Sequence, residues 1–220
     1  MCGRFALTMP TEAMESLFEA EAQGLPETGP RHNVCPTQEI AAVVSWEEGR
    51  LIVPMRWGFI PRWYKSPTDG PLLINARAET IADKPAFREA ARARRCLIPA
   101  SGFFEWTKGE SGKEPWYIHP REGEAMAMAG VWQRWMSPEG ESLVTTAIVT
   151  CAANQALSKL HHRMPVVLAC EDWGLWLGEE GKGAAALMQP APEDALAFHR
   201  VSTAVNSMKA RGPELLEPVA

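Results

Sequence analysis

The residue with the most distinctive chemistry is the second of the chain. Cys2 follows Met1 directly, and a small residue after the initiator methionine is the setting in which that methionine is trimmed. Trimming would give Cys2 an α-amine and a thiol on adjacent carbons. An α-amine titrates near ~7.7–8.0, so roughly a tenth is neutral at pH 7, against less than about one in a thousand for a lysine near ~10.4. Such an amine attacks an aldehyde without further tuning. Once an imine has formed, the thiol is held within reach of the same carbon, and intramolecular closures of this kind have effective molarities of order 10⁵ M or more. The product is a five-membered thiazolidine. An N-terminal nucleophile can also use its own amine as a base, so hydrolytic chemistry is an alternative, as is a cysteine at position two by chance.

Three further segments could serve that chemistry. GFFEW sets Glu105 among Phe103, Phe104 and Trp106. Burial there would raise the carboxyl pKa and suit it to moving protons near neutrality, and a surface glutamate on a strand is the competing reading. HHRMPVVL places His161 and His162 before Arg163 and the turn-forming Pro165, where an imidazole can give up a proton at physiological pH or can be purely structural. In NARAET, Asn75, Arg77 and Glu79 share one face if the segment is a strand, which is then solvent-exposed or lines a polar site.

The chain has 220 residues, 46% of them hydrophobic and 22% charged, a composition that fits one ordinary globular domain. The start has no cationic region followed by a long apolar run, and no window approaches the ~20 apolar residues that span a membrane. A cytoplasmic protein is expected. Five scattered cysteines with no CxxC pair and no His/Cys cluster at zinc spacing argue against structural disulfides, a metal or another cofactor. Cys96, Cys151 and Cys170 lie in or beside apolar runs and read as core residues.

The formal net charge of −5 excludes a protein that coats nucleic acid by bulk electrostatics. Its distribution is uneven. Positions 50 to 95 hold ten Lys/Arg against four acids, a local +6 that leaves −11 for the rest. Within it RWGFIPRWYK alternates cations with Trp57, Phe59, Trp63 and Tyr64, a combination that tracks a phosphate backbone and stacks unpaired bases. A solvated helix face is the alternative, above all for Arg88 to Arg95.

The elements that must position these groups are mostly strands. A first helix is predicted near Thr11 to Ala22, with Met14, Leu17 and Phe18 on one face. IAAVVSW and LIVPMRW flank Glu47, Glu48 and Gly49 as a hairpin. LLINARA reads as a strand, Thr80 as the cap of a helix running to about Arg94, and CLIPA as a strand leading into GFFEW. Further strands are predicted at PWYIH, AMAMAGVWQRW, LVTTAIVTC, PVVLA and LAFHRVS, with short helices around Asn154 to Leu160 and Asp172 to Leu177. Strands that do not alternate with long helices disfavour a doubly wound parallel sheet. The expected fold is α+β: one domain over residues 2–220, mainly antiparallel and barrel-like, with peripheral helices. Nothing demands a dimer, and a monomer is expected.

Taken together, CGRF, RHNVCPTQ, RWGFIP, NARAET, CLIPASGFFEW, HHRMPVVL and the VN…GPELLEP tail, in that order, resemble the SOS-response-associated peptidase family. Its members are abasic-site processing proteins that shield damaged single-stranded DNA. The resemblance implies that Cys2, freed of Met1, forms a thiazolidine with the abasic-site aldehyde and that Asn75 positions Cys2 and the sugar. It further implies that Glu105 assists proton transfer during imine formation and that His161 protonates the sugar ring oxygen. Arg4 and Arg77 correspond to phosphate contacts, Arg163 joins the DNA-binding set, and Arg56, Trp57 and Trp63 form a DNA-facing wall. Strand cleavage through the imine and self-removal of Met1 are also implied. Single-stranded DNA containing abasic sites is then the partner. A cysteine peptidase using Cys2 and His161 on other proteins, and a non-covalent single-stranded DNA binder, are the competing classes. This chain departs from the family pattern at Cys35, Phe104 and the Lys209–Ala210–Arg211 stretch.

Overall fold

The computed structural model describes residues 2–26, 29–47, 49–110 and 112–219. Met1, whose removal the chemistry requires, and Glu48 of the predicted hairpin turn lie outside the described residues. In chain order the elements are β1 (Phe5–Leu7), α1 (Thr11–Phe18), β2 (Ala20–Ala22), β3 (Arg31–Val34), β4 (Glu39–Trp46), β5 (Gly49–Trp57), β6 (Asn75–Arg77) and α2 (Arg88–Ala93). They continue as β7 (Arg95–Ala100), β8 (Gly102–Gly109), β9 (Gly112–Pro120), β10 (Met126–Met136), β11 (Ser142–Ala152) and α3 (Gln155–Ser158). The remainder are β12 (Arg163–Pro165), β13 (Val167–Leu168), α4 (Trp173–Leu177) and β14 (Leu196–Arg200), with short 3₁₀ turns between and after them.

The fold is α+β, as expected. Strands β11, β10, β7, β4 and β5 pair antiparallel in that order, and β5 then meets β11 in parallel through Arg56–Thr145 and Trp57–Thr146, closing a five-stranded barrel. Strands β7 and β10 are buried along nearly their whole length, because one face fills the barrel and the other is covered. That two-sided burial explains why CLIPA and AMAMAGVW read as continuous apolar runs and not as alternations. Short strands extend the barrel wall: β2 lies parallel to β5, β6 parallel to β11, β12 antiparallel to β11, and β13 antiparallel to β10. A second, open antiparallel sheet runs in the order β14-β9-β8-β1-β3. One hydrophobic cluster containing Phe5, Trp57, Leu97, Phe103, Ile118 and Ile148 joins the two sheets.

Two predicted helices are shorter than expected, for identifiable reasons. α1 ends at Phe18, where Glu19 turns into the left-handed region at φ 49°. Ala20–Ala22 then pairs with Arg50–Ile52 as a strand; the exposed edge of β5 outweighs a helix propensity worth only tenths of a kcal/mol per residue. The segment after Thr80 forms successive turns and becomes helical only at Arg88. Pro85 stands in its middle, and a proline inside a helix removes a backbone donor and clashes with the preceding turn.

Gly102 shows how closely β8 and β9 approach. A Cβ at this position would lie 2.5 Å from the Ile118 carbonyl oxygen and 2.5 Å from the Tyr117 ring. Both obstacles belong to the paired strand, so the sheet has to shift to admit even a methyl group. Gly102→Ala is therefore expected to lower stability by about 1–3 kcal/mol, typical of overpacking, read as a fall in the urea midpoint at unchanged slope. A midpoint equal to that of the wild type would show that the two strands are not held at this spacing.

Candidate active site

The site forms where the second sheet meets the barrel wall, and each side contributes two of its four groups. In the second sheet Phe5 pairs with Phe103 and the Phe104 N–H donates to the Arg4 carbonyl at 2.9 Å. Because β1 and β8 run antiparallel, residues before Phe5 lie beside residues after Phe103, which brings Cys2 alongside Glu105. On the barrel side, Asn75 opens β6, in register with Ile148 of β11. His161 sits just before β12, its N–H bonded to Leu157 O at 3.0 Å. Asn75 spans the seam: its Nδ2 donates to the Cys2 carbonyl at 3.0 Å and to the Ile74 carbonyl at 3.1 Å. Its Oδ1 is buried with no hydrogen-bond partner among the described residues. A buried acceptor left open in this way costs free energy in the absence of a ligand.

The electrostatics link the other three residues. Cys2 is completely enclosed. Burial, reinforced by the nearby Glu105 carboxylate, pushes its thiol well above the ordinary range, and a hydrogen bond from the Arg4 N–H only partly offsets this. The thiol is therefore neutral at physiological pH, whereas Glu105 lies buried beside it. The same carboxylate raises His161, but burial outweighs it and His162 opposes it, so the imidazole pKa falls below its usual 6.5. The backbone N–H of Arg163 donates to His161 Nδ1 at 2.9 Å. The same Nδ1 lies 3.2 Å from the Arg163 carbonyl oxygen, so the Arg163 backbone holds the ring through this nitrogen in either tautomer. The His162 ring stacks on it, with centroids 4.3 Å apart.

The structure thus gathers Cys2, Asn75, Glu105 and His161. The DNA-binding candidates divide. Arg77 and Trp63 are exposed, the latter by 59%. Arg56 is partly buried, with Nη1 donating to Gly58 O at 2.7 Å. Trp57 corrects the sequence reading: it is fully buried, packs on Phe5 at 5.2 Å and donates from Nε1 to Ile74 O at 3.0 Å. Successive residues of β5 face opposite sides, so the alternation of cation and aromatic there marks an amphipathic strand, and Trp57 is core. Arg4 and Arg163 are both largely buried. Arg4 Nη1 donates to Asn33 Oδ1 at 2.7 Å and Val205 O at 2.9 Å, over the Trp106 ring. Arg163 forms a two-pronged pair with Glu79 at 2.5 and 2.9 Å and also donates to Thr150 O at 2.6 Å. Its hydrogen bonds hold Glu79 below the usual carboxylate range.

Glu79 therefore does not share a strand face with Asn75 and Arg77, because β6 ends at Arg77 and Glu79 follows in a turn. Asn33 and Thr150 were not legible as site-supporting residues. Asn33 binds Arg4 and, through Nδ2, the carbonyls of Ser207 and Ala210; an asparagine directly before the apolar Val34 and Cys35 was the one available signal. The cysteines divide too. Burial pushes Cys96 up to about 12 and Cys151 up to about 11. Cys170, expected in the core, is exposed, because it begins a 3₁₀ turn after β13 and does not continue the strand.

The model of the SOS response associated peptidase family matches residues 1–208. The chain belongs to this family. Among its relatives, the abasic site processing protein YoqW of Bacillus subtilis is 37% identical over 223 residues, covering 99% of each chain. The abasic site processing protein YedK of Escherichia coli is 34% identical over 227 residues, covering both chains fully. The abasic site processing protein HMCES of Gallus gallus is 34% identical over 77% of this chain and 58% of its own. A crystal structure of a protein from Bacteroides thetaiotaomicron shares the fold, with a TM-score of 0.87 over the full length of both chains at 24% identity. Within this family fold no helix among the described residues is long and apolar enough to cross a membrane.

Two outcomes follow from the site's electrostatics. Under native conditions a maleimide should modify the exposed Cys170 first and leave Cys2, Cys96 and Cys151 protected. Asn75→Ala should selectively speed labelling at Cys2, and peptide mapping by mass spectrometry reads both. Equal rates at Cys2 and Cys170 in the wild type would contradict an enclosed, neutral thiol. For His161, the folded state takes up a proton less readily than the unfolded chain. Its contribution to stability is therefore complete above pH 6.5 and is lost as pH falls through the interval down to the lowered folded-state value. The urea midpoint should consequently drop less between neutral and acidic pH in His161→Gln than in the wild type, and equally steep curves would refute the assignment.

Proposed function

We propose that the protein captures abasic sites in single-stranded DNA as a thiazolidine on Cys2, after loss of Met1. The observation that carries this reading is the seam itself: the Cys2 carbonyl held by Asn75, with a buried carboxylate and an imidazole that both act electrostatically across the same small space. Three relatives named for abasic-site processing support the choice of aldehyde.

The chemistry runs in balanced steps. His161 gives a proton to the ring oxygen as the C1′–O4′ bond of the closed sugar breaks and the C1′ hydroxyl loses its proton, leaving a C1′ aldehyde. A lowered pKa makes the imidazolium scarce at neutral pH but a correspondingly stronger acid. The Cys2 α-amine adds to C1′, and the carbinolamine hydroxyl takes up a proton from solvent and leaves as water, giving an iminium ion. Sγ then bonds to C1′ while its proton passes to Glu105, which closes the ring. One water is released per adduct. A neutral thiol leaves the first attack to the amine and enters only against the more electrophilic iminium. Asn75, with one amide hydrogen bond on the Cys2 carbonyl, fixes the backbone of the attacking residue, and its open Oδ1 is placed to accept from the amine or a sugar hydroxyl. Arg77 and Trp63 are the exposed groups that would meet phosphate and base. Arg4, Arg56 and Arg163 act mainly by holding the walls. Loss of a C2′ proton at the iminium stage, with departure of the 3′ phosphate, supplies a lyase branch. Self-removal of Met1 supplies the free amine, and both use the same residues.

A uracil-containing single strand treated with uracil glycosylase and run with the protein on a denaturing gel should give a slow-migrating covalent species. An appended, uncleavable N-terminal tag should abolish it although every side chain remains. Cys2→Ser should form an imine trappable by borohydride but no stable adduct. A stable adduct with either the tagged or the serine protein would rule out the α-amine and thiol as the reacting pair.

A further inference from the structure

One strongly charged region of the molecule is not used by the site described above. A cleft of about 270 Å³ opens between α2 and the Gly181–Ala185 segment, and Arg88, Arg92, Arg95 and Lys182 line it with no acidic residue among them. Arg88 and Arg92 are one helical turn apart and so share a face of α2. Both are exposed and have no ion-pair partner among the described residues. Asp83 and Glu180 adjoin lining residues in the chain without themselves lining the cleft, and two further acids nearby are committed elsewhere. Glu89, on another face of α2, pairs with Arg62 at 3.0 Å and Arg94 at 2.9 Å, and Glu179 pairs with Arg50 at 2.7 Å. Arg95 is fixed in place: its Nη1 donates to Ala91 O at 3.0 Å and Arg92 O at 2.7 Å, its Nε donates to Trp176 O, and its guanidinium lies over the Trp176 ring. In a chain of net charge −5, the fold holds four cations together around one cleft with no acid in its lining, at a cost in mutual repulsion.

The cleft connects along the chain to the candidate active site. Exposed Arg77 and Lys84 stand between Asn75 and Arg88, and Ile81 itself lines the cleft. We propose that this arginine cleft binds the phosphodiester backbone of single-stranded nucleic acid flanking the nucleotide held at Cys2, giving a second contact region beyond the site. This rests on the reading that the strand enters at Cys2. Its apolar floor, which includes Trp176 and Met188, accommodates sugar and base edges without reading sequence.

The test is binding of intact, non-abasic single strands of roughly 4 and roughly 16 nucleotides, the span over which single-strand binding modules differ in site size, measured by fluorescence anisotropy across a salt series. Arg88→Ala/Arg92→Ala/Lys182→Ala should weaken the long strand about tenfold and reduce its salt slope by about 2, from roughly 0.7 for each phosphate no longer neutralised. The short strand should bind unchanged, which also shows the variant is folded. Arg88→Lys/Arg92→Lys should keep long-strand affinity near the wild type. Equal effects on both lengths, whether loss or none, would overturn the cleft, as would a wild type indifferent to length. Covalent capture of a short abasic strand is a separate readout. If capture fails while length-dependent binding persists, the Cys2 chemistry falls and the cleft stands.

Discussion

The hydrogen bond from Asn75 Nδ2 to the Cys2 carbonyl ties together, at the candidate site, two sheets that share an apolar core and are also joined through Arg31 of β3 and the Glu39 carbonyl of β4. Every proposed reacting group depends on that joint. Cys2 and Glu105 come from the open sheet, Asn75 and His161 from the margin of the barrel, and none of the four is placed by a local motif alone. The barrel makes the joint rigid. The parallel contact of β5 with β11 closes it, and β6 and β12 then attach to β11, so Asn75 and the residues before β12 are carried on a closed, well-packed wall. Precision at the seam follows from rigidity on both sides of it.

Arg163 and Glu79 have a comparable role farther from the reacting groups. An arginine this deeply buried needs several partners, since a buried charge without them is strongly destabilising. It has a two-pronged carboxylate, the Thr150 carbonyl and the Thr150 hydroxyl. The same residue's backbone holds His161 Nδ1. A single side chain therefore anchors the turn after β6 against β11, while its own backbone positions the imidazole. The exposed side of Glu79 means the pair is worth more as a positioning device than as a source of stability.

The sequence made the strand inventory legible because most strands are short, bounded by Gly or Pro, and either alternating or wholly apolar. It did not disclose the barrel closure. Arg56–Thr145 and Trp57–Thr146 are parallel pairs between residues some ninety positions apart, and no local pattern encodes such a contact. The candidate residues Cys2, Glu105, Asn75 and His161, which the structure brings together, were legible as polar groups set in apolar or turn-rich contexts, with His161 chosen over His162 by the family resemblance. The DNA-facing set was less so. Trp57 and Trp63 sit six residues apart in one basic-aromatic segment, yet one is core and the other solvent-exposed; β5 ends between them at Trp57. Composition locates a basic aromatic segment, while only the strand boundary says which of its rings face water.

The charge distribution completes the physical picture. The segment from 50 to 95 is locally +6 and the rest of the chain −11, so the positive charge of the chain is concentrated in one stretch. Folding then commits some of those cations internally. Arg50 and Arg94 go to acids and Arg56 to a carbonyl, and Arg77, Lys84, Arg88 and Arg92, which follow Asn75 in the chain, form no ion pair among the described residues. An acidic protein with one uncompensated basic stretch attracts nucleic acid to that stretch and disfavours it elsewhere, which gives orientation at little cost in nonspecific affinity. For a covalent reagent such as an N-terminal aminothiol, which condenses with aldehydes in general, this is where selectivity must come from. In the proposed chemistry the reactive pair would supply bond formation, and the surrounding charge would decide which aldehydes arrive.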